Sequence, residues 1–340
     1  MLNDRYSRQT LFEGIGVRGQ SKLGKSRALL VGVGALGTSQ AELLARAGVG
    51  IIRLVDRDFV EFSNLQRQSM FTEQDARRRL PKAVAAENHL REINSEVNIE
   101  AEIVDVNNSN VERLIKDCDV VLDGTDNFAT RYLINDACVK HRIDWIYGAA
   151  VGSYGVTMTI CPQQTPCLRC IFEEAPEPGT APTCDTAGVL MSIINMVAAV
   201  QVTEALKLLT GQRSALHGSL MQFDVWQNQW REINPGNRRV DCETCGLGRY
   251  ETLSATSNEG AAILCGRDAV QVSPQRQSVI DFEALADRLR GAGQVKFNEY
   301  LLRFTTGDFE LTVFRDARSI IRGTNEIAIA RSLYAKYIGN

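Results

Sequence analysis

The segment "RALLVGVGALGTSQAELLARAG", Arg27 to Gly48, constrains the fold more than any other in this 340-residue chain. A short run over residues 27–33, apolar after Arg27, leads into glycine, and a stretch with apolar residues at helical spacing follows at once, closing on a further glycine. A continuous apolar strand expects cover on both faces, as in a parallel sheet wrapped by helices. The alternation continues. "IIRLVD" reads as a strand, "PKAVAAENHLREIN" as a helix opened by Pro81, "NIEAEIVDV" as a strand and "DVVLDGTDN" as a strand running into a polar turn. "FATRYLINDACVKH" is then a helix and "DWIYGAAV" a strand. This predicts an α/β chain with a doubly wound, Rossmann-like, mostly parallel sheet. "GVTMTICP" alternates and adds an antiparallel strand, residues 188–209 make a long helix, and "HGSLMQFDVWQNQWREI" reads as two strands around a turn.

The pattern changes after Cys245, where "GLGRYETLSATSNEG" is polar and poor in large aliphatics. Beyond it, "YLLRFTTGDFELTVFRDARSII" alternates across Gly-Asp and Arg-Asp-Ala-Arg turns, and "NEIAIARSLYAKYIG" is a closing helix. We expect a boundary near 250, with a first domain over 1–249 and a small C-terminal α+β domain over 250–340.

A net charge of −3 argues against a nucleic-acid partner. The apolar run "GVLMSIINMVAAV" stops at Gln201, too short to span a bilayer. No charged-then-apolar leader opens the chain, so the expected setting is the cytoplasm, without a membrane. Cytosolic thiols stay reduced, so nine cysteines point to metal binding or chemistry rather than to disulfides.

Two glycine motifs compete for a nucleotide. "GQSKLGKS", Gly19 to Ser26, matches a phosphate-binding P-loop letter for letter. That motif needs a strand before it and a helix after it, and here the strand comes after, so we read the match as accidental. "GVGALG", Gly32 to Gly37, has the right context, and its glycines allow a phosphate to approach a helix N-terminus. Alone it fits a nicotinamide-dependent oxidoreductase equally well, with Asp56 or Asp58 on a ribose hydroxyl.

The next segments separate the two. "DRDFVEFSNLQRQSMF" and "RRRLPKAVAAE" gather Arg67, Lys82 and polar amides, which a hydride-transfer site does not require. Attack at phosphorus builds charge on oxygens, which fixed cations stabilise. "DGTDN" places Asp126 and Asn127 at the carboxyl end of a strand, the edge where open α/β sheets bind ligands. A carboxylate there can hold Mg²⁺.

Taken together, "RYSRQ", "GVGALG", "DRDFVEFSNLQRQ", "LPKAVAA" and "GTDN" resemble, in order and spacing, the adenylyltransferases of thiamin and molybdopterin biosynthesis (the ThiF, MoeB and HesA type), relatives of ubiquitin-activating enzymes. The resemblance covers about residues 3–247. It implies activation, with ATP, of the C-terminal Gly-Gly carboxylate of a small ubiquitin-like sulfur-carrier protein, giving an acyl-adenylate and pyrophosphate. It further implies a sulfur donor such as a cysteine desulfurase. By the same resemblance Arg67 and Lys82 contact phosphates, Asn64 and Gln68 orient them, Asp58 holds the ribose and Asp126 the magnesium. The nucleotide lies along Gly32, Gly34, Ala35 and Gly37, near Asp56 and Asn127. Arg8 is supplied across a homodimer interface. Similar enzymes usually carry glycine where Ala35 stands, and often Cys or Ala where Gly124 stands. The attacking carboxylate is already ionised, so no general base is needed. A non-catalytic scaffold on the same fold is the further alternative, opposed by the intact charged set.

"CLRC" (Cys167, Cys170) and "CETC" (Cys242, Cys245) form two C-x-x-C knuckles, which suit one four-thiolate Zn²⁺ site better than two redox pairs. Similar enzymes carry zinc at matching knuckles. Cys118, Cys138 and Cys161 read as core. Cys184 stands in the Pro/Gly-rich stretch "EEAPEPGTAPTCDTAG" before a helix, where a thiol can be activated. In similar enzymes the loop cysteine either carries sulfur covalently or is dispensable, and both readings stand. Cys265 is expected to be structural.

Overall fold

A computed structural model describes residues 4–174, 184–254, 260–264, 268–274 and 279–339. The chain divides into two compact units, Met1–Ala255 and Thr256–Asn340.

The first unit opens with α1 (Ser7–Leu11) and α2 (Gly16–Leu23). Strand β1 (Arg27–Val31) then turns into α3 (Ala35–Ala47). Next come β2 (Ile51–Val55), α4 (Glu73–Arg78), α5 (Lys82–Ile93) and β3 (Asn98–Glu102). After them are α6 (Val111–Ile115), β4 (Val120–Asp123), α7 (Phe128–His141) and β5 (Asp144–Val151). These five strands are parallel in the order β3-β2-β1-β4-β5. The order reverses between β1 and β4, so a crevice opens at their carboxyl ends. The strands are apolar because both faces are covered: Leu29, Leu30, Ile52, Leu54, Val121 and Leu122 are all fully buried.

The sheet continues antiparallel through β6 (Tyr154–Ile160). Beyond it lie α8 (Leu168–Ile171), α9 (Cys184–Ala187) and α10 (Met191–Thr210). Strands β7 (Leu220–Asp224) and β8 (Gln229–Ile233) complete the sheet, and α11 (Glu251–Ser254) ends the unit. Helix α10 starts at Met191 rather than at 188 because Gly188 turns with positive φ, Leu190 is extended, and both are hydrogen-bonded to Gly152. It runs past Gln201 to 20 residues, long and apolar enough to cross a membrane by length and composition alone. It packs against α3, β5 and β6, and buries Gln201 and Glu204 with its apolar face, as a core helix does.

The P-loop lookalike is the end of α2 and the lead into β1. Lys22 Nζ donates to Thr210 O at 2.6 Å and Ser26 Oγ to Lys22 O at 2.9 Å, so its polar groups serve packing.

The second unit is an antiparallel sheet in the order β11-β12-β13-β14-β10-β9. It runs β9 (Ala261–Leu264), β10 (Ala269–Val272), α12 (Phe282–Leu289), β11 (Gln294–Phe297), β12 (Leu301–Thr306), β13 (Phe309–Phe314), β14 (Ser319–Arg322) and α13 (Ile327–Tyr337). Phe282, Leu285 and Leu289 from α12 meet Leu302, Phe304 and Val313 in its core. Sequence reading missed α12, although Asp281 caps it and its apolar residues keep helical spacing. Cys265 lies outside the described residues.

Candidate functional site

The site is built on glycine. Gly32 ends β1 with φ +89°, and a Cβ there would stand 2.6 Å from the carbonyl oxygen of Gly124. The β1–α3 turn and the β4–α7 turn therefore lie back to back at the switch point. Asp56, at the end of β2, holds this arrangement. One oxygen accepts from Val33 N at 2.7 Å and the other from Asp58 N at 2.7 Å. Burial pushes its carboxyl above the usual range, and the nearby Lys82 partly offsets this. Asp56 thus orders the turn, while Gly34 and Ala35 open α3.

Lys82 is the first residue of α5, and its ammonium is buried 3.3 Å from Asp58 Oδ2. The structure brings this cation and this carboxylate together beside the glycine turn. Gln68 is buried too, and its Nε2 would be 3.8 Å from a Cβ on Gly34. Gln68 Oε1 is a buried atom with no hydrogen-bond partner among the described residues. As an acceptor, it would be satisfied by a ligand group that donates a hydrogen bond. Asn64 is buried and accepts from Glu61 N at 3.0 Å, shaping the turn that carries Gln68. Arg67 instead folds back, donating to Ser63 O at 2.8 Å.

Asp126 is exposed at the carboxyl end of β4. Asn127 caps α7, its Oδ1 accepting from Thr130 N at 2.9 Å, so that oxygen holds the helix. Beneath this turn lies a polar cluster that sequence reading missed. Asp123 and Arg131 form a buried ion pair at 3.1 Å. Burial pushes the Asp123 carboxyl up and Arg131 counters it. Gln40 and Gln201 both donate to Asp123 O, at 2.9 and 3.0 Å. The available signal was Arg131 itself, a cation among the apolar positions of α7.

Arg8 is exposed on α1 and makes no hydrogen bond or ion pair with these residues. Its helix is tied to the far end of α3, where Gln9 Nε2 donates to Ala47 O at 2.8 Å. Thirteen residues of α3 separate that end from the glycine turn, about 20 Å at the rise of an α-helix.

The two knuckles converge. The four Sγ atoms of Cys167, Cys170, Cys242 and Cys245 lie within 4.8 Å of one another. Cys167–Cys170 is 3.9 Å, Cys167–Cys242 3.6 Å and Cys170–Cys245 3.4 Å. Thiolates around a tetrahedral ion with bonds of about 2.3 Å would stand about 3.8 Å apart, so the cluster fits a metal. Two neighbours on α7 hold it: Asn135 Oδ1 accepts from Leu168 N at 2.9 Å, and Asp136 from Thr244 Oγ1 at 2.7 Å. Cys118, Cys138 and Cys161 are buried, and burial pushes the Cys161 thiol up to about 12.

Cys184 begins the single turn α9 and is half-buried, its Sγ 3.3 Å from Ala150 O at the end of β5. A four-residue helix has little dipole, and α10 begins only at Met191. Residues 175–183 of the same stretch lie outside the described residues.

The fold is an open α/β sheet with a glycine turn, a buried cation and a buried polar cluster gathered at the carboxyl ends of its strands. The chain belongs to the ThiF family, whose model matches residues 6–244, and it is an adenylyltransferase. It is 47% identical over 340 residues to the sulfur carrier protein ThiS adenylyltransferase of Bacillus subtilis, covering 99% of this chain and 100% of that protein. It is 41% identical to the SAMP-activating enzyme E1 of Haloferax volcanii, covering 74% of this chain and 91% of that one. Among solved structures it is similar in fold to E. coli MccB with ATP, at TM-score 0.63 and 22% identity over 72% of this chain and 75% of that one.

Proposed function

We propose that this enzyme uses ATP with Mg²⁺ to adenylate the C-terminal Gly-Gly carboxylate of a small ubiquitin-like sulfur-carrier protein, for later sulfur transfer in cofactor biosynthesis. The observation that carries the reading is the buried Lys82–Asp58 pair with Gln68 around a glycine turn, in a chain 47% identical end to end to a ThiS adenylyltransferase. A carboxylate oxygen of the carrier attacks the α-phosphorus. The bond to the bridging oxygen breaks and pyrophosphate leaves. Lys82 and Arg67 neutralise charge on the phosphates, Asn64 and Gln68 orient them, and Asp58 takes the ribose. Asp126 would hold Mg²⁺, which would neutralise phosphate oxygens. Cys167, Cys170, Cys242 and Cys245 would hold Zn²⁺, which would clip two distant segments together.

The reading includes a cytoplasmic homodimer in which Arg8 reaches the partner subunit's nucleotide. Its distance from the glycine turn of its own chain supports this, as do the exposed side chains of Leu11, Phe12 and Val17 near it. The unit from Thr256 onward is a partner-binding module in this reading. A sulfur donor such as a cysteine desulfurase completes the pathway. The test is ATP–pyrophosphate exchange with the purified chain and carriers of the thiamin and molybdopterin types. Exchange that requires the intact Gly-Gly end is expected with one of them. Exchange with neither carrier, while ATP still binds, would overturn the reading.

A further inference from the structure

We infer that Arg131 is a positioning residue for Asp126: buried beneath the Gly124–Asn127 turn, its guanidinium fixes the backbone from which the Asp126 carboxylate projects. The inference rests on the reading that Asp126 works at the nucleotide.

Arg131 lies one turn into α7 and is only 5% exposed. Its Nε donates to Asp123 Oδ2 at 3.1 Å, and its Nη2 to Thr125 O at 2.7 Å and Gly148 O at 3.2 Å. One planar group thus ties together the end of β4, the middle of β5 and the turn between β4 and α7. Asp123 grips the same turn from the other side, Oδ1 accepting from Thr125 N at 2.8 Å and Thr125 Oγ1 at 2.7 Å. Thr125 is therefore held at its amide and at its carbonyl. Asn127, the residue after Asp126, is held by its cap on α7. Asp126 sits exposed between two pinned neighbours, so its direction is set from below.

A buried ion pair is a poor means of stabilising a fold, because desolvation consumes most of the attraction and apolar residues of similar volume serve as well. What apolar residues cannot supply is a fork of donors aimed at one carboxylate and two carbonyls. That feature of the cluster is geometric, and the turn it holds carries Asp126.

Removing Arg131 alone would leave Asp123 charged and unpaired. The test therefore uses the paired variant Asp123→Asn/Arg131→Met, which keeps an acceptor for Thr125 and buries no charge. Arg131→Lys serves as the second variant, retaining the charge without the fork. The first readout is calorimetric binding of ATP with and without Mg²⁺, which needs no turnover. Asp126→Ala should erase the metal's contribution to ATP affinity. The paired variant and Arg131→Lys should lose most of it while melting cooperatively, and adding Asp126→Ala to either should change little further, since groups acting as a unit are not additive. The second readout is pyrophosphate exchange, where kcat should fall about 100-fold with the carrier's KM nearly unchanged. A wild-type metal contribution in both variants, or a full additional loss from Asp126→Ala in their backgrounds, would overturn the role of Arg131. Failure of the wild-type chain to exchange with any carrier would instead remove the functional reading beneath it.

Discussion

Gly124 and Gly32 touch through their backbones, and neither has room for a side chain. A Cβ on Gly32 would stand 2.6 Å from Gly124 O, and one on Gly124 would press into Gly32 O and stand 3.2 Å from Gly37 Cα. Sequence reading drew no consequence from the glycine at position 124. The geometry does draw one for this chain. Gly124→Ala should destabilise the first unit by about 1–3 kcal/mol, as overpacking does, and should weaken ATP binding. Thermal unfolding and calorimetry on one preparation check both effects.

Two lysines in glycine-rich surroundings should behave oppositely. Lys82 is buried against Asp58, whereas Lys25 lies in the link from α2 to β1. Lys82→Ala should lower carrier-dependent pyrophosphate exchange about 100-fold or more, the usual cost of one preorganised charge contact. Lys25→Ala should leave exchange and ATP affinity nearly unchanged. The reverse pattern would return the nucleotide to the P-loop lookalike.

The four-thiol cluster should hold one zinc per chain, measured by elemental analysis of freshly purified protein. Because bound metal contributes directly to folding free energy, chelation should lower the midpoint of thermal unfolding. Asp136 accepts from Thr244 and Thr252 without touching a thiol. Asp136→Asn should weaken metal retention about tenfold, the lower range for residues that orient ligands. A competition titration with a chromogenic chelator reads this out.

Adenylation requires no thiol, so Cys184→Ser should preserve pyrophosphate exchange. Its Sγ lies against Ala150 O at the end of β5, on a strand of the sheet that carries the site. If the activated glycine passes to this sulfur, intact mass spectrometry without reductant should find an adduct on the native enzyme that is lost in Cys184→Ser. Fast exchange with no adduct would leave sulfur to a separate donor protein.

Local pattern made the first unit legible. Helix α7 falls on Phe128–His141, the stretch expected, because Asn127 caps one end and Arg142 leaves the other in left-handed backbone. Strand β1 stops two residues earlier than expected because Gly32 turns with positive φ. The motif residues Lys82, Asp58 and Gln68 were readable as a set. Their contacts were not, since Asp58 and Lys82 pair across 24 positions. The Asp123–Arg131–Gln40–Gln201 cluster escaped for the same reason. Nothing near Gln40 or Gln201 in sequence distinguishes a buried amide from a surface one, and only the packing of α3 and α10 over β4 makes them partners.

The spacing of the four cysteine sulfurs has a consequence for handling the protein in air. At 3.4 to 3.9 Å, Cys167 and Cys170 are each already within reach of a sulfur to which they could bond. While a metal holds the electron pairs of the thiolates, oxidation is hindered. Once the metal is stripped, the same proximity favours disulfides, and a disulfide sulfur no longer ligates zinc. Loss of metal under oxidising conditions should therefore act as a ratchet. Protein emptied with chelator and exposed to oxygen should recover zinc only after reduction, whereas protein emptied under reductant should reload directly.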